Sequence, residues 1–272
     1  MKKILLIVAG TTIISALIVI FVLKNDTSKK STQTLPTEVT WELRESNIWK
    51  PTGTPPACAD PFTLTSPVDI SKVTAILYPG QVRGDAYKPH GAFRFSEDSN
   101  NQVIVTVPFD AQIIRGSRAF RNGENQYSFE FIVPCGIWYS FGHLLELSPK
   151  FLEIANKLPL VDDDAEGFHV QQFYDVRPPV AVKTGEVIAT AVGYAKQKNV
   201  FVDFGVLDLR HKNGNTIRSE WAAKYSPQFD EYAVCWMDLL PAVDREHLRS
   251  LFGSGDVESG VKSDYCHYPE NK

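Results

Sequence analysis

Three side chains in this sequence have the chemistry to act together in one site: His90, His143 and Asp203. Imidazoles and carboxylates are common zinc ligands and common proton carriers in catalysis. Each residue also has a purely structural interpretation. His90 follows Pro89 and could lie on a surface loop, and His143 could hydrogen-bond to backbone at a strand end. Asp203 lies between apolar residues on a predicted strand, so a buried carboxylate there needs a partner.

A second candidate site is the acidic run Asp162–Asp164, which Glu166 and His169 follow closely. Such a group could bind calcium, but it lacks the spaced D-x-D-x-D-G pattern of a calcium loop. Unpatterned acidic runs usually form solvated turns. We therefore predict an exposed acidic turn within a polar insertion over 160–179.

Short β-strands are predicted to position these side chains, because runs rich in Val, Ile, Phe and Tyr alternate with turn residues. The predicted strands are Val73–Tyr78, Val103–Val107, Gln112–Arg115, Tyr127–Val133, Ile137–Phe141, Val180–Val182, Glu186–Val192 and Val200–Leu207. Helical spacing predicts two helices, over Ser148–Leu158 and Asp238–Leu251. The fold class is all-β, a barrel-like sandwich with a few short helices.

Five local patterns then follow one another along the chain. They are P-G-x3-G-x2-Y-K-P-H-G at 79–91, V-P-x-D-A-x-I at 107–113, Y-S-F-G-H-L at 139–144, V-K-T-G-E-V-I-A at 182–189 and F-V-D-F-G-V at 201–206. Their order resembles the lysostaphin-type zinc endopeptidases of bacterial cell walls, which have the duplicated hybrid motif fold. The resemblance covers residues 75–210. The corner at 182–189 is also similar to lipoyl and biotinyl carrier domains, but the lysine context of a carrier is lacking.

The resemblance implies a degenerate metal site. In that family an H-x3-D motif and the second His of an H-x-H hold zinc, which leaves one position for an activated water. His90 matches the first ligand, Arg94 stands at the Asp ligand, and Phe201 and Asp203 stand at the H-x-H. His143 matches a further proton-handling His, with one extra residue in its segment. No catalytic residue, metal ligand or cofactor is therefore expected; an active enzyme would use His90 and Asp203 to bind zinc and His143 to move protons.

Arg94 is predicted to pair with Asp203 where zinc would otherwise sit. A guanidinium about 4 Å from a divalent ion would be repelled by roughly 8 kcal/mol at an effective dielectric of 20. The planar guanidinium fork also suits a carboxylate. Together, the resemblance and the predicted Arg94–Asp203 pair indicate a binding cleft that neither binds zinc tightly nor hydrolyses peptides. The predicted cleft residues are His90, Arg94, His143, Phe201 and Asp203.

The N-terminus carries a run of 20 residues without charge, Ile4–Leu23. Such a run matches the roughly 30 Å hydrocarbon core of a bilayer. A cleaved signal peptide is the alternative, but its apolar region is usually shorter and ends in a small-residue cleavage site. We predict a single-pass membrane anchor over 1–23, a flexible stalk over 24–40 and an extracytoplasmic domain over 41–272. That domain comprises the peptidase-like core 75–210 and a C-terminal extension 211–272. Lys2 and Lys3 favour a cytoplasmic N-terminus. This prediction is weakened by the lysines on the far side, Lys24, Lys29 and Lys30.

The four cysteines all follow the apolar run, and none forms a C-x-x-C pair. This arrangement favours disulfides in an oxidising compartment. Among the three possible pairings we predict Cys235 with Cys266, and Cys58 with Cys135 as the second bridge.

Composition narrows the function further. A formal net charge of −4 argues against nucleic-acid binding, which requires a basic face. Trp138, Trp221 and Trp236 could stack on sugars, but core packing is the usual role of such residues. The leading hypothesis is a non-catalytic, membrane-anchored peptidase relative that binds an envelope polysaccharide, peptide or protein. The alternatives are an active metallohydrolase and a structural ectodomain of a membrane complex.

Overall fold

The structure is a computed structural model of the chain. It describes residues 39–83, 86–163, 171–214, 224–251, 263, 265 and 266. The predicted anchor and the predicted stalk up to residue 38 lie outside the described residues, as do Asp164, Glu166, His169 and Trp221. No helix among the described residues is long and apolar enough to span a bilayer.

The described residues form fourteen strands and two short α-helices. The strands are β1 (Trp41–Arg44), β2 (Ile48–Pro51), β3 (Val73–Leu77), β4 (Gln81–Arg83), β5 (Ala86–Lys88), β6 (Gly91–Phe95), β7 (Val105–Thr106), β8 (Ala111–Arg121), β9 (Glu124–Val133), β10 (Ile137–Leu147), β11 (Leu160–Asp162), β12 (Tyr174–Val182), β13 (Val187–Val192) and β14 (Phe201–Asp208). The helices are α1 (Pro149–Ala155) and α2 (Ala242–Ser250). The all-β prediction is confirmed.

The large sheet has the order β11-β8-β9-β10-β14-β6-β3. Strand β12 pairs with β8, and β13 pairs with β10 and β7. Two-stranded sheets form from β1–β2 and β4–β5. Within the described ranges the strands do not close into a barrel.

Alternation along the central strands separates a core face from an outer face. On β14, Val202, Phe204 and Val206 are fully buried in the main core, as the predicted apolar face requires. Aromatic rings dominate this core: Phe141 stacks on Phe204 with centroids 4.8 Å apart, and Trp236 packs against Phe204 at 5.4 Å. The opposite face of the same strands is left to carry polar groups.

A second apolar cluster covers part of that outer face. Trp138 and Leu207 belong to it, and Trp49 from β2 packs edge-on against Trp138 with centroids 5.3 Å apart. The expectation that Trp138 and Trp236 pack in cores is confirmed, since both are almost fully buried.

Both predicted disulfides are present. Cys58–Cys135 ties the irregular segment before β3 to the turn between β9 and β10. Cys235–Cys266 ties the segment before α2 to the C-terminal tail. Cys235 and Cys266 are both buried in the main core.

The two helices lie near their predicted positions. Helix α1 begins at Pro149 with Ser148 before it, and it buries Phe151 and Ile154 against the sheet. The predicted helix over 238–251 begins later as α2, at Ala242, because Pro241 and a separate 3-10 turn, Trp236–Leu239, precede it.

The prediction of an exposed acidic turn is wrong for Asp163. Its side chain is buried, and its Oδ2 lies 2.7 Å from Nε of Arg121. The pair satisfies a charge that would be costly to bury alone. Nothing in the spacing of the acidic run distinguishes Asp163 from its neighbours.

Candidate functional site

Asp203 is the centre of a cluster on the outer face of the sheet. Its Oδ2 lies 3.3 Å from Nε2 of His90 and 3.4 Å from Nε2 of His143. The three residues belong to adjacent parts of the chain fold: His90 immediately precedes β6, Asp203 lies on β14, and His143 lies on β10. Two imidazoles therefore converge on one carboxylate oxygen.

A β-bulge positions His143. Strand β10 pairs with β14 up to Gly142 and with β13 from Leu144 onward, so His143 lies where the strand changes partner. The backbone of His143 is left-handed, with φ of 60°, and its carbonyl accepts from Gly193 N at 2.7 Å. Bulges of this kind redirect one side chain, and a left-handed non-glycine residue costs of order 1 kcal/mol. The left-handed backbone thus occurs at the residue whose imidazole contacts Asp203.

Gly205 makes room for His90. A Cβ on Gly205 would lie 2.9 Å from Cβ of His90, closer than side chains tolerate. The missing side chain lets the loop bearing His90 lie directly over β14. Gly205 thus contributes to the site because it has no side chain that would displace His90.

The electrostatics favour an ionised Asp203. Burial by itself raises the pKa of Asp203, but His90, His143 and Arg83 more than offset it, so the pKa lies well below its usual range. Burial lowers the pKa of His143, and Asp203 opposes that shift. Burial likewise lowers the pKa of Lys88, again against the pull of Asp203.

His143 makes polar contacts at both ring nitrogens. Its Nδ1 lies 3.1 Å from Oε1 of Gln126, whose amide nitrogen donates to the Gly193 carbonyl. Its Nε2 faces Asp203. Both neighbours are acceptors, so these contacts favour a doubly protonated ring, whereas burial favours the neutral ring. The rings of Tyr194 and Phe201 pack beside it, with centroids 5.0 and 4.6 Å away.

The predicted pair between Arg94 and Asp203 is wrong. Arg94 lies opposite Phe201 in the β6–β14 ladder, whereas Asp203 lies two residues further along β14, opposite Ala92. Its guanidinium donates to Oδ1 of Asn199 at 3.0 Å. The two imidazoles supply the partners that Asp203 needs, so Arg94 is not required there. Of the predicted cleft residues, His90, His143, Phe201 and Asp203 are brought together, and Arg94 turns away.

A groove of about 400 Å³ adjoins Asp203. This volume lies in the range of small-molecule and cofactor sites. Its floor is made of small residues on the central strands, namely Ser128, Ser140, Gly142 and Gly205. Its remaining lining residues include Arg115, Glu130, Gln171, Phe173 and Phe229. The cluster around Asp203 forms one end of this groove.

The residues at the site do not fit a three-ligand zinc centre as they are arranged. Arg94, which stands where the resemblance places an Asp ligand, donates to Oδ1 of Asn199. The one carboxylate is already contacted by two imidazoles. Within the ranges that the structure describes, no group of three His, Cys, Asp or Glu side chains is arranged to hold a metal ion.

Sequence reasoning missed Arg115 and Glu130, which lie directly opposite each other on β8 and β9. A signal was present, since Ser128 and Glu130 alternate with Phe129 and Phe131. That alternation places a carboxylate on the outer face of a central strand.

Neither a protein-family model, nor a curated protein sequence, nor a solved structure matches this chain.

Proposed function

We propose that this chain is a membrane-anchored, non-catalytic relative of the lysostaphin-type zinc endopeptidases, with a duplicated hybrid motif fold. Its domain lies outside the cytoplasm and binds an envelope component in the groove beside Asp203. The observation that carries the proposal is the His90–Asp203–His143 cluster at the end of that groove.

The position of the cluster supports the relationship. The resemblance assigns functional positions to His90, His143 and Asp203, which are far apart in sequence. In the structure both imidazoles lie within hydrogen-bonding range of the Asp203 carboxylate. A chance set of surface residues would have no reason to converge.

The chemistry of the same cluster supports binding rather than hydrolysis. Arg94 and Phe201 occupy positions where the family needs a carboxylate and an imidazole, and neither side chain can supply that chemistry. The carboxylate of Asp203 is held between two imidazoles and can accept hydrogen bonds from a ligand or anchor one end of it.

An active metallohydrolase is the second candidate function. The observation that favours it is the same convergence, since two imidazoles and a carboxylate are suitable zinc donors by type. A small rearrangement that separated Nε2 of His90 and His143 from Oδ2 of Asp203 would be required.

Metal analysis of the purified full-length chain separates these two functions. After equilibration with zinc and removal of the excess, we expect less than one tenth of an equivalent of metal and no cleavage of a peptidoglycan stem peptide. One equivalent of zinc that is lost in both His90→Ala and Asp203→Ala would establish the metallohydrolase instead.

Binding is tested by cosedimentation of the detergent-solubilised chain with purified peptidoglycan. Ser140→Leu fills the groove floor and should abolish binding. Thr74→Leu, on the exposed face of edge strand β3, is the matched control and should bind normally. Equal binding by both variants would place the ligand elsewhere. Copurification of other membrane proteins, with no peptidoglycan binding, would favour the structural ectodomain.

The location is tested with protease added to intact cells or spheroplasts. The domain over 41–272 should be degraded, and the recovered chain should retain residues 1–23. Protection until lysis would reverse the orientation, and a mature N-terminus near residue 25 would indicate a cleaved signal.

A further inference from the structure

The groove floor is a single row of paired residues across four strands. Arg115 on β8 lies opposite Glu130 on β9, and Glu130 lies opposite Ser140 on β10. Ser140 in turn lies opposite Gly205 on β14, over which His90 is placed. Because neighbouring strands are about 4.8 Å apart, Glu130 and Gly205 are separated by roughly 10 Å. The groove therefore has two polar ends, with small residues between them.

The end opposite Asp203 contains a buried acceptor with unused capacity. Oε2 of Glu130 lies 3.1 Å from Nη1 of Arg115, and this oxygen is shielded from solvent. Glu130 is only 9% exposed, and it lines the groove. A carboxylate has about four acceptor sites, more than one guanidinium contact fills, so the Glu130 carboxylate can also accept from a ligand donor.

Arg115 beside it offers donors that a ligand can reach. Its side chain is about one third exposed, and its guanidinium lies 5.2 Å from the ring centroid of Phe173. When Glu130 is ionised, it forms with Arg115 an ion pair with no net charge, so a further full charge on a ligand would be repelled by one of the two. The pair instead suits a neutral ligand that carries a donor and an acceptor side by side.

The floor excludes recognition of a peptide by strand addition. Strands β9, β10 and β14 are interior strands, and their backbone groups pair with neighbours on both sides. A peptide backbone could not extend the sheet there, as it does at a free edge. The groove instead offers side chains, among them Ser140, the Arg115–Glu130 pair, and the half-buried rings of Phe173 and Phe229.

We propose that this end of the groove is a saccharide subsite, in which vicinal hydroxyls of a glycan bind Arg115 and Glu130. One hydroxyl donates to the carboxylate of Glu130, and its neighbour accepts from Arg115. Phe173 and Phe229 contact the apolar face of the sugar ring. The inference rests on the proposed function and selects the glycan among its possible envelope ligands.

The test measures binding of two soluble probes to the full-length chain in detergent by titration calorimetry. The probes are a β-1,4-linked N-acetylglucosamine hexasaccharide and a neutral pentaalanine peptide. We expect the wild type and the surface control Glu97→Gln to bind the hexasaccharide equally. Measured at pH 8, above the raised pKa of Glu130, Glu130→Gln should weaken it at least tenfold, the loss expected for a hydrogen bond to a charged group. Arg115→Lys, which keeps the charge but loses the fork, gives an independent second variant, and thermal unfolding identifies a variant that does not fold.

Each other outcome overturns the saccharide subsite in a distinguishable way. Binding of pentaalanine alone would make the groove a peptide site and leave the proposed binding function standing. Hexasaccharide binding that neither Glu130→Gln nor Arg115→Lys weakens would place the sugar elsewhere on the protein. Failure of both probes, together with no cosedimentation with peptidoglycan, would remove the binding function and the subsite together.

Discussion

Oδ2 of Asp203 lies 3.4 Å from Nε2 of His143, across the ladder between β14 and β10. The contact links the charge of one residue to the protonation of the other. Burial lowers the pKa of His143, and the ionised carboxylate opposes that shift. The protonation state of the groove's end is thus set jointly by the two residues.

Asp203→Asn should lower the pKa of His143 further, because it removes the charge that opposes burial. The imidazole resonance of His143, assigned with His143→Gln, would be followed by NMR against pH. A His143 pKa that stays the same or rises in Asp203→Asn would contradict the coupling.

The same variant should destabilise the domain by about 1–3 kcal/mol at neutral pH, since a buried partner is removed. The pKa of Asp203 is depressed, so its stabilising contribution is complete above the ordinary value of 3.8 and declines as the pH falls toward the depressed pKa. Denaturant unfolding at several pH values should show the wild type and variant curves converging only in strong acid.

Glu130→Gln should have the opposite pH signature. Burial raises the pKa of Glu130 from 4.5 to about 7, although Arg115 opposes the shift. The folded state then binds more protons than the unfolded state between these values, so stability falls as the pH rises through this window. Relative to the wild type, the variant should gain up to about 3 kcal/mol between pH 4.5 and pH 8. A parallel pair of stability curves would contradict the raised pKa, and Glu97→Gln is the exposed control.

Gly205→Ala should displace His90, because the new Cβ would lie 2.9 Å from Cβ of His90. The expected cost is about 1–3 kcal/mol of unfolding free energy, typical of overpacking. Gly53→Ala is the matched control, since its Cβ would meet only Val39 at 3.8 Å. Equal Tm values for the two variants would show that the loop bearing His90 moves freely.

The two disulfides should differ in their contribution to stability. They close loops with sequence separations of 77 and 31 residues. The chain-entropy relation gives about 4.5 kcal/mol for Cys58–Cys135 and about 3.7 kcal/mol for Cys235–Cys266. Paired Cys→Ser variants, compared by denaturant unfolding, should follow that order. Non-reducing peptide mapping of the wild type identifies the bridges, and free thiols at Cys235 and Cys266 would exclude the second.

Asp163→Asn should destabilise the domain by about 3 kcal/mol or more, because it leaves Arg121 buried without its carboxylate partner. Asp162→Asn, at the neighbouring exposed position, should cost much less. Similar losses for both variants would mean that burial of Asp163 is unimportant for folding.

Local pattern predicted β14 and the first part of β10, but neither β6 beside His90 nor the part of β10 that carries His143. Strand β14 was predictable because Val202, Phe204 and Val206 alternate with outward residues, and period-two alternation is a local property of a half-buried strand. Helix α1 was predictable from Pro149 at its first position. The start of β9 and the length of β12 were not, since pairing with β8 extends both beyond their apolar runs.

The cluster itself was predicted in part. The resemblance brought His90, His143 and Asp203 together, but the partner of Asp203 depended on side-chain directions that spacing does not contain. Arg94 lies two positions along β6 from Ala92, the residue opposite Asp203, and its side chain donates to Asn199 instead. The left-handed backbone at His143 is a tertiary feature, produced when β10 exchanges β14 for β13.

The Cys58–Cys135 bridge also determines how the domain would respond to mechanical load. Tension applied between the two ends of the domain loads the antiparallel β1–β2 hairpin, whose paired residues separate one after another. At Cys58 the force crosses the covalent bridge directly to Cys135 in the turn between β9 and β10. Residues 59–134, including His90, Arg115 and Glu130, then form a bypassed loop that carries no load along its backbone. Tension between the two ends of the domain would thus load β10, which carries Ser140 of the groove floor, while Arg115 and Glu130 lie in the bypassed part.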